Sequence, residues 1–291
     1  MTVSQQHSGQ GHSISEGVLR VLFGVFLAVI AIGLALSPWP ELFAAITVLM
    51  SLFAAREWHR MVRAPDKAAE ADRKPLHIQT IITGVTTACA LTALVLRVVP
   101  AAFAFLVLGT IASYIWASRH DDNPLWHAGG VAYIGIPSMA LVALRVFPLQ
   151  PQLIVLGLFM IVWATDTGAL VFGKLIGGPK IAPHLSPGKT WAGTLGGSIT
   201  AAMVYGLYIA LFGFDAETAM LFAFAFSFVA HAGDLFESLV KRRFGLKNSG
   251  GLIPGHGGIL DRVDSLFAAS MVMAVLVFGF HFNPLFGGRV L

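Results

Sequence analysis

With 291 residues, of which 56% are hydrophobic and 12% charged, the chain is too poor in charge for a soluble domain, which carries roughly 25%. A mean hydropathy of +0.76 points to lipid as a second solvent, and 31 Gly and 22 Phe suit membrane helices. The single cysteine, Cys89, excludes an intramolecular disulfide and a cysteine zinc cluster, while the net charge of +4 leaves nucleic acid to be judged from where the bases fall.

Residues 1–16 are polar and show no cleavable leader, so the apolar run from Val18 to Leu36 is expected to be a retained first span. With it, the apolar segments in chain order are 17–36, 40–56, 78–96, 98–117, 129–147, 151–172, 192–213, 218–236 and 264–282. They predict an all-α polytopic bundle of about nine transmembrane helices, with 1–291 as a single membrane domain. Segment 40–56 is short for a span, but Trp39 and Trp58 stand where interfacial anchors belong. No useful internal repeat is visible, so an inverted-repeat transporter has no direct support.

The basic residues orient the bundle. With the N-terminus in the cytoplasm, the inside loops are 57–77, 118–128, 173–191 and 237–263. Those loops, with Arg20 and Arg56 at span ends, hold sixteen of the nineteen Lys and Arg. Only Arg97, Arg145 and Arg289 fall at the opposite face, as the positive-inside bias requires. This distribution accounts for the basic balance without nucleic acid. Residues 57–77 mix both signs with Pro65 and Pro75 and read as a cytoplasmic connector. Loops 173–191 and 237–263 are Gly- and Pro-rich yet also polar, and long loops of that kind are usually functional.

Acids stand where a membrane protein avoids them. Asp166 sits in Trp163-Ala-Thr-Asp-Thr-Gly168, inside the sixth apolar run, and such a residue normally faces a cavity or a partner. At the end of the eighth run comes His231-Ala-Gly-Asp234-Leu-Phe-Glu237-Ser238. On a helix, His231, Asp234 and Ser238 share a face, with Glu237 beside them. Lys241, Arg242 and Arg243 follow. After a glycine-rich turn, His256-Gly-Gly-Ile-Leu-Asp261-Arg262-Val-Asp264 precedes the last span, and Asp261 and Asp264 are again three apart. Oxygen ligands of this kind suit Mg²⁺ rather than zinc.

Between the sixth and seventh runs lies Ser186-Pro-Gly-Lys189-Thr190-Trp191. A phosphate-loop pattern needs glycine at 183, where this chain has Pro183, so a Walker-type NTPase is rejected. Lys189, Ser186 and Thr190 nevertheless offer a charge and hydroxyls to phosphate.

The stretch from Ser238-Leu-Val-Lys241-Arg242 through Lys247 to Pro254-Gly-His256-Gly-Gly258-Ile-Leu-Asp261-Arg262-Val-Asp264 resembles the signature of the phosphatidate cytidylyltransferase family, the CDP-diacylglycerol synthases. Asp166-Thr-Gly-Ala, Phe172-Gly-Lys, Ser186-Pro-Gly-Lys-Thr and Gly233-Asp-Leu-Phe-Glu-Ser238 resemble its other pieces, so the likeness covers about residues 160–265. It implies a multispan enzyme of the bacterial inner membrane, a homodimer, that joins CTP to phosphatidate and depends on Mg²⁺. A second divalent ion, or a monovalent one such as K⁺, stays open. The family's metal-centre acids fall on Asp234 and Asp261, with Ser238 nearby. Two positions depart from the pattern: Asn248 and Lys174 stand where the family has acids.

The chemistry so implied is in-line attack by the phosphatidate oxygen on the α-phosphorus of CTP, with pyrophosphate leaving. Asp234 and Asp261 hold the metal, with Asp264, Asp166 and Ser238 contributing directly or through water. Lys189, Lys241, Arg242 and Arg262 neutralise phosphate. His256, flanked by Gly255 and Gly257, is expected to contact substrate, since the glycines let backbone N–H groups approach phosphate. Two other readings remain: a CTP-dependent polyprenol or isoprenoid-alcohol kinase, which would release CDP, and a cation-coupled secondary transporter.

Overall fold

The structure is a computed structural model describing residues 16–63, 78–120, 122–247, 249–250, 258–285 and 288–289. Among these residues there are nine long α-helices, one on each apolar segment. They are α1 Glu16–Leu36, α2 Pro40–Met61, α3 Ile78–Val95, α4 Val99–Arg119, α5 Pro124–Val146, α6 Pro151–Leu175, α7 Trp191–Ala210, α8 Ala216–Arg243 and α9 Leu260–Ala274. Helix α9 continues as a π-helical turn, Val275–Gly279. Seven of the helices, α3 to α9 with that turn, are long and apolar enough to cross a membrane. Helix α2 has the length but carries Glu41, Arg56, Glu57 and Arg60, and α1 offers a shorter apolar stretch, Gly24–Leu36, among the residues whose side chains are described. The chain is an all-α polytopic membrane bundle.

Local signals set the helix ends. Pro40, Pro124 and Pro151 open α2, α5 and α6, where the missing N–H costs nothing. Thr190 caps α7, accepting the Gly193 N–H at 3.0 Å. Asp215 caps α8, and hydrogen bonds from the Thr218 hydroxyl and from backbone N–H groups hold its carboxyl below the usual carboxylate range. Helix α8 stops at a Schellman turn: Gly245 takes φ of 69°, Leu246 N–H reaches Lys241 O at 2.9 Å, and Gly245 N–H reaches Arg242 O at 3.1 Å.

Three boundaries correct the sequence expectation. Residues 57–61, expected in the connector, form the last turn of α2; the rest of that connector, from residue 64, lies outside the described residues. Helix α8 runs to Arg243 and α9 begins at Leu260, so both ends of loop 237–263 are helical. The reason is common to all three. Hydropathy breaks off at Glu57, His59 and Glu237 and again at Asp264, but these side chains are buried against protein partners rather than turned to water. In loop 173–191, which showed no secondary structure in the sequence, α6 ends at Leu175 and a hairpin follows. Its strands, β1 Lys180–Ala182 and β2 Ser186–Thr190, pair antiparallel with Lys180 opposite Thr190 and Ala182 opposite Ser186. A second short pairing joins β3 Phe282–Asn283 to β4 Gly288–Arg289.

Glycines bring the helix pairs of interest together. A Cβ added at Gly197 of α7 would lie 2.5 Å from Thr165 O of α6, and one at Gly233 of α8 would lie 2.7 Å from Asp264 O of α9. Backbones can approach this closely only where one side is glycine. Polar ties fix the C-terminal end of α2. His127 Nε2 stands 3.1 Å from Asp122, His127 Nδ1 faces His59 Nδ1 at 2.8 Å, and His59 Nε2 faces the Thr83 hydroxyl at 2.7 Å. If Thr83 donates to His59, His59 to His127 and His127 to Asp122, every ring nitrogen has a partner with both rings neutral. This buried chain links α2 to α3 and α5 at the end of the bundle where α8 ends and α9 begins.

Candidate active site

Asp234 and Glu237 lie three residues apart on α8, and Gly233 lets that face press against the first turns of α9. The result is a cluster in which one carboxylate oxygen each from Asp234, Glu237 and Asp264 lie within 4.8 Å of one another. Asp264 and Glu237 are buried, and Asp234 is half-buried. Asp264 Oδ1 accepts the N–H of Ser265 at 2.7 Å.

Two lysines flank the acids. Lys189, on β2 of the hairpin, stands 2.6 Å from Asp234 Oδ2. Lys241, one turn beyond Glu237, reaches Glu237 Oε2 and Asp261 Oδ1, both at 2.7 Å. Asp261 also accepts the N–H groups of Gly258 at 3.0 Å and Ser249 at 3.3 Å. Asp166 of α6 is close enough to feel the charges of Asp234, Lys189 and Arg262.

Asp234, Asp264, Lys189, Lys241, Asp261 and Asp166 are thus brought to one end of the bundle. Asp261 adjoins the three-acid cluster through Lys241, whose Nζ is 2.7 Å from both Asp261 and Glu237, and it is tied to backbone N–H groups. Ser238 is buried next to Glu237 in sequence. Thr190 has its oxygen committed to capping α7, and Ser186 sits on β2 of the hairpin. Arg242 is turned to Leu185 O at 3.1 Å, which pins the hairpin to α8. Arg262 is exposed on the first turn of α9. His256, Gly257 and Asn248 lie outside the described residues. The expectation gave no role to Glu237 or Glu57. For Glu237 the signal was present, one turn from Lys241 and three residues from Asp234. For Glu57 it was indirect: a segment as short as 40–56 must extend through 57–61 to span.

The donor set fits a divalent cation. Glu237 is fully buried, and its Oε1 has no hydrogen-bond partner among the described residues. A buried carboxylate oxygen left so is costly unless something positive meets it. Oxygen-only donors select Mg²⁺-like ions over zinc.

Fold and site together define a multi-pass helical membrane protein with an acidic, lysine-flanked site at one end of the bundle. The model of the Cytidylyltransferase family matches residues 18–280, and the chain belongs to that family. It is similar to three bacterial proteins that carry the name phosphatidate cytidylyltransferase. The one from Brucella suis biovar 1 is 40% identical over 171 residues, which is 58% of this chain and 62% of the relative. That from Rickettsia bellii is 31% identical over 215 residues, 71% of this chain and 92% of the relative. That from Staphylococcus haemolyticus is 41% identical over 149 residues, 50% and 56% of the two chains. The chain spans about 62% of the length of the Brucella relatives it matches.

Proposed function

We propose that this protein transfers the cytidylyl group of CTP to phosphatidate, giving CDP-diacylglycerol and pyrophosphate for phospholipid synthesis at a bacterial inner membrane. The observation that carries the reading is the convergence of Asp234, Glu237 and Asp264 beside Lys189 and Lys241 at the end of an apolar bundle. Such a site suits a lipid whose acyl chains stay in the bilayer while its phosphate meets a water-borne nucleotide. The names of the relatives support the same substrates.

A phosphatidate oxygen, already anionic near neutral pH, attacks the α-phosphorus of CTP. The bond to the β-phosphate oxygen breaks, and pyrophosphate leaves with the electron pair. No strong base is required, which agrees with a site made of acids and lysines. Asp234, Glu237 and Asp264 would hold Mg²⁺, with Asp166, Asp261 and Ser238 near it. When bound, that ion supplies neutralising charge to phosphate oxygens. Lys189 and Arg262 present positive charge to the phosphates, and Lys241 holds Glu237 and Asp261 in place through contacts of 2.7 Å to each. His256, Gly257, Ser186, Thr190 and Arg242 remain substrate contacts in this reading, and the working form is a homodimer.

Purified protein given labelled CTP, phosphatidate and Mg²⁺ is expected to form a lipid-extractable CDP product and pyrophosphate in equal amounts. EDTA is expected to abolish both, and excess Mg²⁺ to restore them. Release of CDP with a phosphorylated alcohol would make the protein a kinase, and activity confined to sealed vesicles with a gradient would make it a transporter.

We place the site and the N-terminus in the cytoplasm, on the strength of the basic residues gathered at that end. After replacement of Cys89, Arg119→Cys and Lys180→Cys are expected to label from the cytoplasmic side of sealed vesicles and Leu149→Cys from the other. Labelling of Arg119→Cys and Lys180→Cys from opposite sides would defeat this topology.

A further inference from the structure

Glu57 is a buried carboxylate that the proposed chemistry does not use. It lies near the end of α2, far in sequence from the signature region, and is 4% exposed. Both oxygens are engaged. Oε1 accepts the Ile259 N–H at 3.0 Å, and Oε2 accepts the Leu260 N–H at 2.8 Å and the Ser249 hydroxyl at 3.1 Å. Those two N–H groups open α9, so Glu57 fills from another helix the place an N-cap normally takes. A carboxylate there also meets the positive end of the helix dipole.

The fit is close on both sides. A Cβ added at Gly258 would lie 2.4 Å from Glu57 Oε2, and one at Gly250 would lie 2.7 Å from Oε1. Asp261 takes the backbone N–H groups of Ser249 and Gly258, next to the groups Glu57 holds. From Asp261 the contacts run through Lys241 to Glu237 and so to the acid cluster. The anchoring of α2 by His59, His127 and Thr83 gives Glu57 a fixed base.

We propose that Glu57 is a positioning residue for the metal and triphosphate site: capping α9 from α2, it fixes the first turn of α9, and thereby Asp261 and Asp264, against α8. The proposal rests on the cytidylyl-transfer reading above. Glu57 acts through Asp261 and Asp264. Shape alone does not suffice for the role. The amide of Glu57→Gln keeps one acceptor oxygen and turns two N–H donors toward a helix end that already presents donors.

The test compares wild type, Glu57→Gln, Glu57→Asp and Ser249→Ala in detergent, with steady-state rates and with Mn²⁺ binding followed by electron paramagnetic resonance. Partners that orient metal ligands are worth about 10- to 100-fold in affinity or activity. Glu57→Gln is therefore expected to lose about tenfold or more in kcat and to bind Mn²⁺ about tenfold more weakly, while KM for phosphatidate stays near the wild-type value. Trypsin cleavage after the exposed Lys247 is expected to quicken. Ser249→Ala, which removes one contact and keeps the carboxylate, shifts each readout in the same direction by less, and Glu57→Asp falls between wild type and Glu57→Gln. Wild-type kcat and Mn²⁺ affinity in folded Glu57→Gln would overturn the proposal. So would a lower yield of folded protein with both values intact, which is a structural role alone. If Glu57→Gln does not fold, wild-type values in both Ser249→Ala and Glu57→Asp overturn it equally. A wild type that makes no lipid product, but whose Mn²⁺ binding still weakens in Glu57→Gln, defeats the cytidylyl-transfer reading and leaves the positioning role standing.

Discussion

Asp264→Asn and Asp234→Asn are each expected to cut CDP-diacylglycerol formation by about a hundredfold or more in protein that still folds. The magnitude follows from position. Partners that merely orient metal ligands are worth about 10- to 100-fold, and these two carboxylates are proposed ligands themselves. Each substitution removes a charge and nearly preserves shape, so packing between α8 and α9 at Gly233 is left intact. Glu237→Gln is expected to behave alike, because its buried Oε1 has no hydrogen-bond partner among the described residues. Asp261→Asn is expected to fall sharply as well, since the amide keeps one acceptor oxygen for three donors and no negative charge opposite Lys241. Lipid-extractable label from CTP measures all four, with gel filtration in detergent to establish folding. Wild-type rates in both Asp264→Asn and Asp234→Asn would rule the cluster out as the reaction centre.

The scaffold was legible in the sequence because lipid makes a severe demand. A span must be a long apolar helix with its backbone polar groups satisfied internally, so the nine apolar runs each carry a helix among the described residues, seven of them long and apolar enough to cross a membrane. The acids of the candidate site stood out for the converse reason: Asp166, Asp234 and Asp264 are residues that lipid would reject, and that cost marks them. Glu57 escaped because hydropathy treats any acid after Arg56 as the start of a loop. Its environment is made by Ser249 and residues 258–260, about two hundred positions away, and no local pattern carries that contact. Thr190 carries a second duty that its residue type did not announce: its hydroxyl oxygen caps the helix that begins one residue later. The hairpin 180–190 was hidden by its composition, since Pro183, Pro187 and Gly188 argue against strands until the pairing of Lys180 with Thr190 is seen.

Lys241→Met is expected to cost more than any single acid, in stability as well as in turnover. Lys241 is the one cation within ion-pair distance of both Glu237 and Asp261 among the described residues, and all three side chains are largely buried. Removing one partner of a buried ion pair costs about 3–5 kcal/mol, because the charge left behind has lost its compensation. Here Asp261 loses its cation and Glu237, already near Asp234 and Asp264, loses its hydrogen-bond donor. Thermal unfolding in detergent is expected to show a markedly lower midpoint for Lys241→Met and no measurable lipid product. Lys241→Arg keeps the charge but replaces a point donor with a planar fork, so it is expected to recover stability better than turnover. The double variant Lys241→Met with Asp261→Asn separates the two effects. It removes one stranded charge, so its midpoint is expected to rise above that of Lys241→Met alone, while turnover stays lost because the contact from α9 to Glu237 is still missing. A Lys241→Met protein that melts with the wild type, or a double variant that melts below it, would show that the lysine does not hold these acids in place.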